Sequence, residues 1–398
     1  MDTVASLWPT ARVSIAPGRR GPGAKELIYV PNSDDPRLLI PSGHRRASSA
    51  ALLRFNHFLP LRDRLRRVLA AGGLRVGAER LLAHRLALVE RESAPDSIET
   101  YLSGVLGQEV VVSLGIGLAR ATQKPVLQAF DASGRSLAFV KIGENPHTRD
   151  LVHAESEALR QLAQHKWSAL KAPRLMHVGE WHSFEILVMS TLPVPARPAL
   201  GRTVSIPPIR PMREVGRAFG EGQQLVATSR FMQRLRDTVV GIADEATAST
   251  YCQALDQIAA RYAHTALDFS AWHGDWSPWN MAWRHRRILL WDWERFETGV
   301  PVGMDRIHYV LSALARTEGF SVPTIVRVLG LPSAREYARP SQQDVLGLLY
   351  LASIINRYLT SSHHEHPGPV QARAAVALEA LSWLTREPGE LDSQTVDS

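Results

Sequence analysis

Cysteine, lysine and long apolar runs are what this chain has least of. A single cysteine, Cys252, excludes an intrachain disulfide in 398 residues and suits a reducing compartment. By itself it reads as a small buried hydrophobe rather than a nucleophile. No apolar run reaches the ~18 residues of a membrane span. The N-terminus carries an acid at Asp2 and lacks the basic-then-apolar order of a secretory signal, so a cytoplasmic protein without a membrane partner is expected. Lysine occurs only at Lys25, Lys124, Lys141, Lys166 and Lys171, and the net charge of +7 comes from arginines spread along the whole chain. Spread charge without a reader motif argues against nucleic acid; anionic ligands such as nucleoside phosphates account for it equally well. An apolar share of 45% and a charged share of 21% are those of a globular protein with room for two or three domains.

What is present is concentrated in one stretch, residues 272–296, which holds six of the ten tryptophans. It reads Trp-His-Gly-Asp-Trp-Ser-Pro-Trp-Asn, a short strand over 281–284, a turn at His285 and Arg286, then an apolar strand over 288–293. If the turn closes a two-residue hairpin, Asn280 falls opposite Trp291, one residue from Asp292, and Asp275 lies on the loop entering the hairpin. Three oxygen-bearing side chains, Asp275, Asn280 and Asp292, are thereby brought together by local sequence alone. The tryptophans read mostly as packing, with one or two available as a stacking wall for a sugar or a cationic substrate.

Taken in order, the first two dozen residues lack periodicity and read as a loose leader. Strands are predicted over 27–30 and 38–40, and helices over 48–55, 61–71 and 78–90. The arginines at 62, 64, 66, 67 and 80 read as a solvated helical face. Residues 1–100 thus form an α/β accessory module of unknown role. From about residue 97 the texture changes to a short helix over 98–106 and strands over 110–114, 125–131 and 136–142. Gly115 and Gly117, in the first connection, would let backbone amides approach phosphate, although a plain turn explains two glycines as well. Further strands are predicted over 174–178 and 184–189, then a Pro-rich connector over 193–211. The remainder reads as helical: 212–266, 306–316, 322–329, 341–359 and 370–384.

Lys141 closes the third of these strands on the face of Leu137 and Phe139. In a chain that uses arginine nearly everywhere, a lysine there answers a need for a compact point charge. The following helix, predicted over 150–164, carries an apolar stripe of Val152, Ala158, Leu159 and Leu162, with Glu155 inside it by helical phase. A carboxylate aimed at a packed face needs a cation, and Lys141 is the natural one. A strand lysine, a helix glutamate, Asp-x4-Asn on a loop and an Asp at a strand end make up the set that phosphoryl transfer from ATP requires. Lysine neutralises nucleotide phosphates, Asn280 and Asp292 hold Mg2+, and Asp275 orients and deprotonates the attacking hydroxyl.

The motif His273-Gly-Asp-Trp-Ser-Pro-Trp-Asn280, followed by Trp291-Asp-Trp-Glu294, resembles the signature of the aminoglycoside phosphotransferase and choline kinase family. The resemblance implies an α+β, two-lobed protein-kinase-like fold over roughly residues 101–398, with a small antiparallel-sheet lobe carrying one main helix (101–194) and a larger, mostly helical lobe (195–398). It implies ATP and Mg2+ as cofactors and the hydroxyl of a small molecule as acceptor: a sugar, aminosugar, aminoglycoside or amino alcohol. By the same resemblance Asp275 is the catalytic base, and Asn280 and Asp292 are the metal ligands. Lys141 and Glu155 serve the phosphates, His273 braces the loop, and Ser190, Thr191 and Leu192 form the adenine hinge. Asp305 matches the family's structural aspartate. Glu294 and Glu318 are further acids that could meet a cationic substrate. The alternative is a nucleotide-binding regulator without chemistry, against which all five catalytic positions are retained. Protein phosphorylation is disfavoured, because no activation segment follows Asp292.

Overall fold

Short apolar runs, several of them buried along most of their length, build one large sheet in the first half of the chain. The computed structural model describes residues 2–17, 25–34, 36–54, 61–82, 84–90, 96–116, 125–194, 206–239, 244–335, 339–364 and 368–386. The chain divides into two compact units: Met1–Gln164 with Ala172–Pro198, and His165–Lys171 with Ala199–Ser398.

In chain order, the first half contains α1 (Asp2–Leu7), β1 (Ala11–Pro17), β2 (Lys25–Val30), β3 (Leu38–Pro41), α2 (Arg45–Arg54) and α3 (Leu61–Arg75). A 3-10 turn (Ala78–Leu81) precedes β4 (His84–Glu90), α4 (Ile98–Leu106), β5 (Val111–Gly115), β6 (Val126–Phe130), β7 (Ser136–Gly143) and α5 (Pro146–Ala163). After β8 (Leu170–Lys171), which belongs to the second unit, come β9 (Leu175–Trp181) and β10 (Phe184–Ser190). Nine strands form one sheet in the order β1-β4-β2-β3-β5-β6-β7-β10-β9. Every neighbouring pair in it is antiparallel.

Strand alternation decides which helix covers which face. Ala138, Val140 and Ile142 of β7 are fully buried on one face, in a core shared with Leu7 and Trp8 beside α1 and with Ile98 and Leu102 of α4. The opposite face takes α2 and α3, whose Ala47, Ala51 and Leu74 pack on Ile28, Ile40 and Phe130. Helix α5 packs on β7 and β10. It begins at Pro146, four residues before the period predicts, because Asn145 and Thr148 close a capping box with bonds of 2.9 and 3.0 Å.

Two expectations for the first hundred residues are overturned. The stretch 78–90, expected as helix, is a 3-10 turn followed by β4, in which Leu86 and Leu88 alternate as buried residues. The supposed leader contains α1 and β1; residues 18–24 lie outside the described residues. Trp8 is almost fully buried, and its packing partners on α4 are some ninety positions away, out of reach of local pattern reading. Residues 1–100 therefore contribute β1–β4 to the same sheet as β5–β7, within one compact unit, with Leu38 opposite Gly115 and Leu39 opposite Leu114. Glu99 fastens this junction: it is paired with Lys25 of β2 and accepts a 3.0 Å hydrogen bond from the Val112 N–H of β5.

The second unit continues with α6 (Ile209–Ala218), β11 (Gly222–Leu225), α7 (Arg230–Val239), α8 (Glu245–Arg261) and β12 (Ala266–Trp272). Then come β13 (Met281–Arg284), β14 (Arg287–Leu290), a 3-10 turn (Trp293–Arg295), β15 (Glu297–Pro301) and α9 (Met304–Glu318). It closes with α10 (Val322–Gly330), α11 (Pro332–Arg335), α12 (Pro340–His364) and α13 (Pro369–Thr385). Two small sheets, β11-β12-β15 and β13-β14-β8, sit among these helices. The stretch 212–266 is thus not purely helical, since β11 pairs along β12. Tyr251, Phe269, Trp272, Leu349, Ile355 and Leu381 belong to its buried core, and Cys252 packs at the edge of that core. No helix of the described residues is long and apolar enough to cross a membrane.

Candidate active site

The hairpin at the centre of the tryptophan-rich stretch has the register that its turn predicts. Arg284 pairs with Arg287 and Met281 with Leu290, around a turn in which His285 adopts a left-handed φ of 54°. One step beyond, the Trp291 N–H donates to the Asn280 carbonyl at 3.1 Å. The second strand ends at Leu290 rather than running to residue 293. Asp292 then turns the chain with a left-handed φ of 71°, ahead of the Trp293–Arg295 turn. A non-glycine residue in that conformation stores strain of about 1 kcal/mol or more, which surrounding structure must hold.

Four neighbours fix the loop of Asp275. His273 accepts the Asp275 N–H on Nδ1 at 3.2 Å, and its Nε2–H donates to the Trp291 carbonyl at 3.1 Å, so one imidazole ties the loop to the hairpin. Asp305, at the start of α9, accepts the N–H groups of His273 (2.8 Å) and Gly274 (3.1 Å). Arg357 of α12 donates to the Gly274 carbonyl at 2.5 Å, with its guanidinium 5.0 Å above the Trp272 ring. Gly274 itself has a φ of 80°, and a Cβ there would lie 2.1 Å from the Arg295 carbonyl oxygen. Only glycine admits that approach, which accounts for the middle residue of His-Gly-Asp.

Both carboxylate oxygens of Asp275 are engaged. Oδ2 accepts from Asn280 Nδ2 at 2.8 Å, and Oδ1 from His308 Nε2 at 3.1 Å. A carboxylate only accepts, so His308 carries its proton on Nε2; Nδ1 lies 3.1 Å from the Tyr350 hydroxyl. Burial pushes the Asp275 carboxyl up. The hydrogen bond from His308, then the charges of His308, His273 and Arg357, outweigh that, and the group titrates below the usual carboxylate range. Burial dominates at Asp305 and raises it to about 7 despite the two N–H donors.

His308 and Tyr350 escape sequence reasoning. The available signal is the spacing Asp305-x-x-His308, which puts both side chains on one face of α9. Tyr350 and Arg357, on α12, carry no local mark.

The tryptophans are chiefly structural. Trp272, Trp276 and Trp293 are buried to 2% exposure or less, Trp293 lies 4.5 Å from the His273 ring, and Trp272 meets His308 and Tyr350 edge-on. The Trp279 face lies under the Arg316 guanidinium at 5.5 Å, and Glu318 is paired with Arg327.

In the first unit, Lys141 Nζ lies 2.5 Å from Glu155 Oε2, with the glutamate fully buried and the lysine side chain 12% exposed. Lys141 stands on β7 between Val126 of β6 and Leu187 of β10. Gly115 ends β5 and is flanked by strands on both sides, opposite Leu38 and Val126; Gly117 lies outside the described residues. Ser190 closes β10, its N–H on the Arg174 carbonyl at 2.8 Å and its hydroxyl accepting the Arg174 N–H at 2.9 Å. Thr191 and Leu192 follow it, and the Leu192 carbonyl accepts the Val194 N–H at 2.8 Å.

Asn280 uses Nδ2 on Asp275, which leaves its carbonyl Oδ1 able to take a hard cation; Asp292 offers a carboxylate one residue past Trp291, whose N–H meets the Asn280 carbonyl.

No family model matches the sequence, and no curated protein matches it. Among solved structures, the chain is similar in layout to small-molecule phosphotransferases. One is the aminoglycoside phosphotransferase APH(4)-Ia, in a ternary complex with ADP and hygromycin B: 15% identity, TM-score 0.47, covering 73% of this chain and 98% of that one. A second is amicoumacin kinase hAmiN in complex with AMP-PNP, Ca2+ and Ami, at 13% identity and TM-score 0.42, covering 69% and 87%. A third is ADP-bound APH(2'')-Ib, at 13% identity and TM-score 0.42, covering 72% and 98%. Likeness of this degree concerns chain layout alone.

Proposed function

We propose that this chain is an ATP- and Mg2+-dependent phosphotransferase that moves the γ-phosphate to a hydroxyl of a small molecule, in the class of sugars, aminosugars, aminoglycosides and amino alcohols. The observation that carries the reading is the cluster in which His308 and Asn280 hold the two carboxylate oxygens of Asp275. Such a carboxylate is positioned to take a hydroxyl proton. In the reaction the acceptor oxygen forms a bond to the γ-phosphorus, the bond from that phosphorus to the β–γ bridging oxygen breaks, and ADP leaves with the electron pair. The acceptor proton passes to Asp275. A depressed pKa makes Asp275 a weak base, which suits a loose transition state where orienting the hydroxyl matters more than early deprotonation.

Lys141, held by Glu155, neutralises nucleotide phosphates, and the Ser190–Leu192 segment serves as the adenine hinge. Asn280 through Oδ1 and Asp292 through its carboxylate would hold Mg2+. When bound, that ion supplies neutralising charge at the phosphates. His273 keeps the Asp275 loop in register with the hairpin that carries Asp292. The lone cysteine accords with a cytoplasmic setting.

The test is ADP release by the full chain across a panel of hydroxyl acceptors, with Asp275→Asn as the comparison. The variant should retain ATP binding and lose about 10²–10⁴-fold in turnover. Undiminished turnover overturns the reading. Nucleotide binding by the wild type with no product from any acceptor favours the regulator instead.

A further inference from the structure

A cavity of about 310 Å³ lies within the second unit, among α7, the turn after Asp292 and α12. It is at the small end of ligand-binding cavities. Its wall adjoins the Asp275 loop: Arg357, which lines it, donates to the Gly274 carbonyl, and the Arg295 carbonyl is the group that Gly274 packs against. The charge of the lining is one-sided. Arg234 and Glu297 neutralise each other at 3.1 Å, and Arg234 is further held by the carbonyls of Thr298 and Gly299. That leaves the guanidiniums of Arg295 and Arg357. Among the described residues no hydrogen bond or ion pair reaches the Arg295 side chain.

The acids whose charge reaches Arg295 are Glu294, Asp275 and Asp292; none of them lines the cavity, and Asp275 is held by His308 and Asn280. A second, independent sign of a ligand is Asn356. It is 8% exposed, lines the same cavity, donates weakly to the Leu235 carbonyl at 3.5 Å, and has no partner for Oδ1 among the described residues. A buried amide oxygen left unsatisfied is unfavourable, so it asks for a donor from whatever occupies the cavity.

We propose that this cavity takes the acceptor of the reaction, and that the acceptor is a small anionic hydroxyl compound whose carboxylate or phosphate group is held by Arg295 and Arg357. A neighbouring hydroxyl or N–H of the same molecule donates to Asn356. This rests on the phosphotransferase reading and replaces the neutral and cationic acceptor classes named with it by an anionic one. Planar guanidiniums match oxyanions by paired hydrogen bonds. An ammonium-bearing aminosugar or aminoglycoside brought to the same wall meets like charge, which selects against it.

The test measures binding to the full-length protein without nucleotide, by titration calorimetry, and then ADP release with ATP and Mg2+. The probes are glycerate and gluconate (carboxylates), glycerol 3-phosphate and glucose 6-phosphate (phosphates), glucose (neutral), and glucosamine and kanamycin (cationic). Inorganic phosphate serves as the minimal anion. The expected result is binding and turnover of one anionic group over the neutral and cationic compounds. Arg295→Gln should weaken that binding by about 10- to 100-fold, the loss of a charge-assisted hydrogen bond. Dependence on Arg295 separates this site from the nucleotide phosphates. If Arg295→Gln does not fold, Arg295→Lys, which keeps the charge and loses the fork, should still weaken binding. The preference of the wild type tests the proposal on its own. Arg295-dependent binding of anions without any ADP release supports the anion site and refutes the phosphotransferase reading. Turnover of glucosamine or kanamycin with the anions inert overturns the anion site and leaves the phosphotransferase standing. Binding by none of the anions, or anion binding indifferent to Arg295, also overturns it.

Discussion

Replacing His308 by leucine removes the one side chain that both donates to Asp275 and adds a positive field to it. The bond is 3.1 Å long and ends on a carboxylate whose side chain is about one-third exposed. A hydrogen bond to a charged group is worth about 1.5–3 kcal/mol, and that exposure argues for the lower end after screening. Losing it should raise the Asp275 carboxyl. The sign follows from the balance at this group. Burial alone pushes it up, and the His308 bond leads the effects that pull it down. Activity that needs the carboxylate is lost as pH falls through its pKa, so the acid limb of kcat/KM should move to higher pH in His308→Leu. His308→Gln, which can restore an N–H donor without charge, should recover part of the shift, and Tyr350→Phe should give a smaller change by the same route. The assay is a pH–rate profile of ADP release, with circular dichroism to show that the variants fold. A His308→Leu protein with native structure and an unmoved acid limb would refute the account.

Two further variants test the surrounding structure. Glu155→Leu removes the buried carboxylate paired with Lys141; removing one partner of a buried pair typically destabilises by about 3–5 kcal/mol, readable as a lowered denaturant midpoint, and the KM for ATP should rise. Asp305 is raised to about 7 against an ordinary value near 4, so the folded chain holds its proton between those values and the unfolded chain does not. The stability tied to this proton is fully present below about pH 4 and is lost as pH rises through about 7. Wild-type Tm should therefore fall relative to Asp305→Asn across that window, and parallel curves would count against a buried, proton-holding Asp305.

Legibility in the sequence follows the range of the forces involved. Helix α4 has the predicted bounds, 98–106, and the structure shows Ser97 capping it; the 281–290 hairpin has the register set by its two-residue turn. Glu155 was traceable to Lys141 because helical phase alone puts a carboxylate inside an apolar stripe, and the structure pairs them. The reading of 78–90 as helix failed because Leu82, Leu86 and Val89 suit a helical period while Leu86 and Leu88 suit a strand's, and burial against a sheet decided for the strand. The first residues looked structureless because Trp8 is buried by α4, far away in sequence.

What the sequence determined by itself is the inventory and the local geometry: a glycine before Asp275, an amide five residues after it, and an aspartate one step past the hairpin. Turn chemistry and side-chain period are contained within a few residues, so they can be read without the rest of the chain. Tertiary structure alone decided the environment of that inventory. Helix α9 brings His308 onto Asp275, α12 brings Tyr350 and Arg357, and the packing of α7 and α12 gathers guanidiniums around one cavity. Protonation, orientation and ligand charge depend on groups that meet only in space, and no spacing along the chain records them.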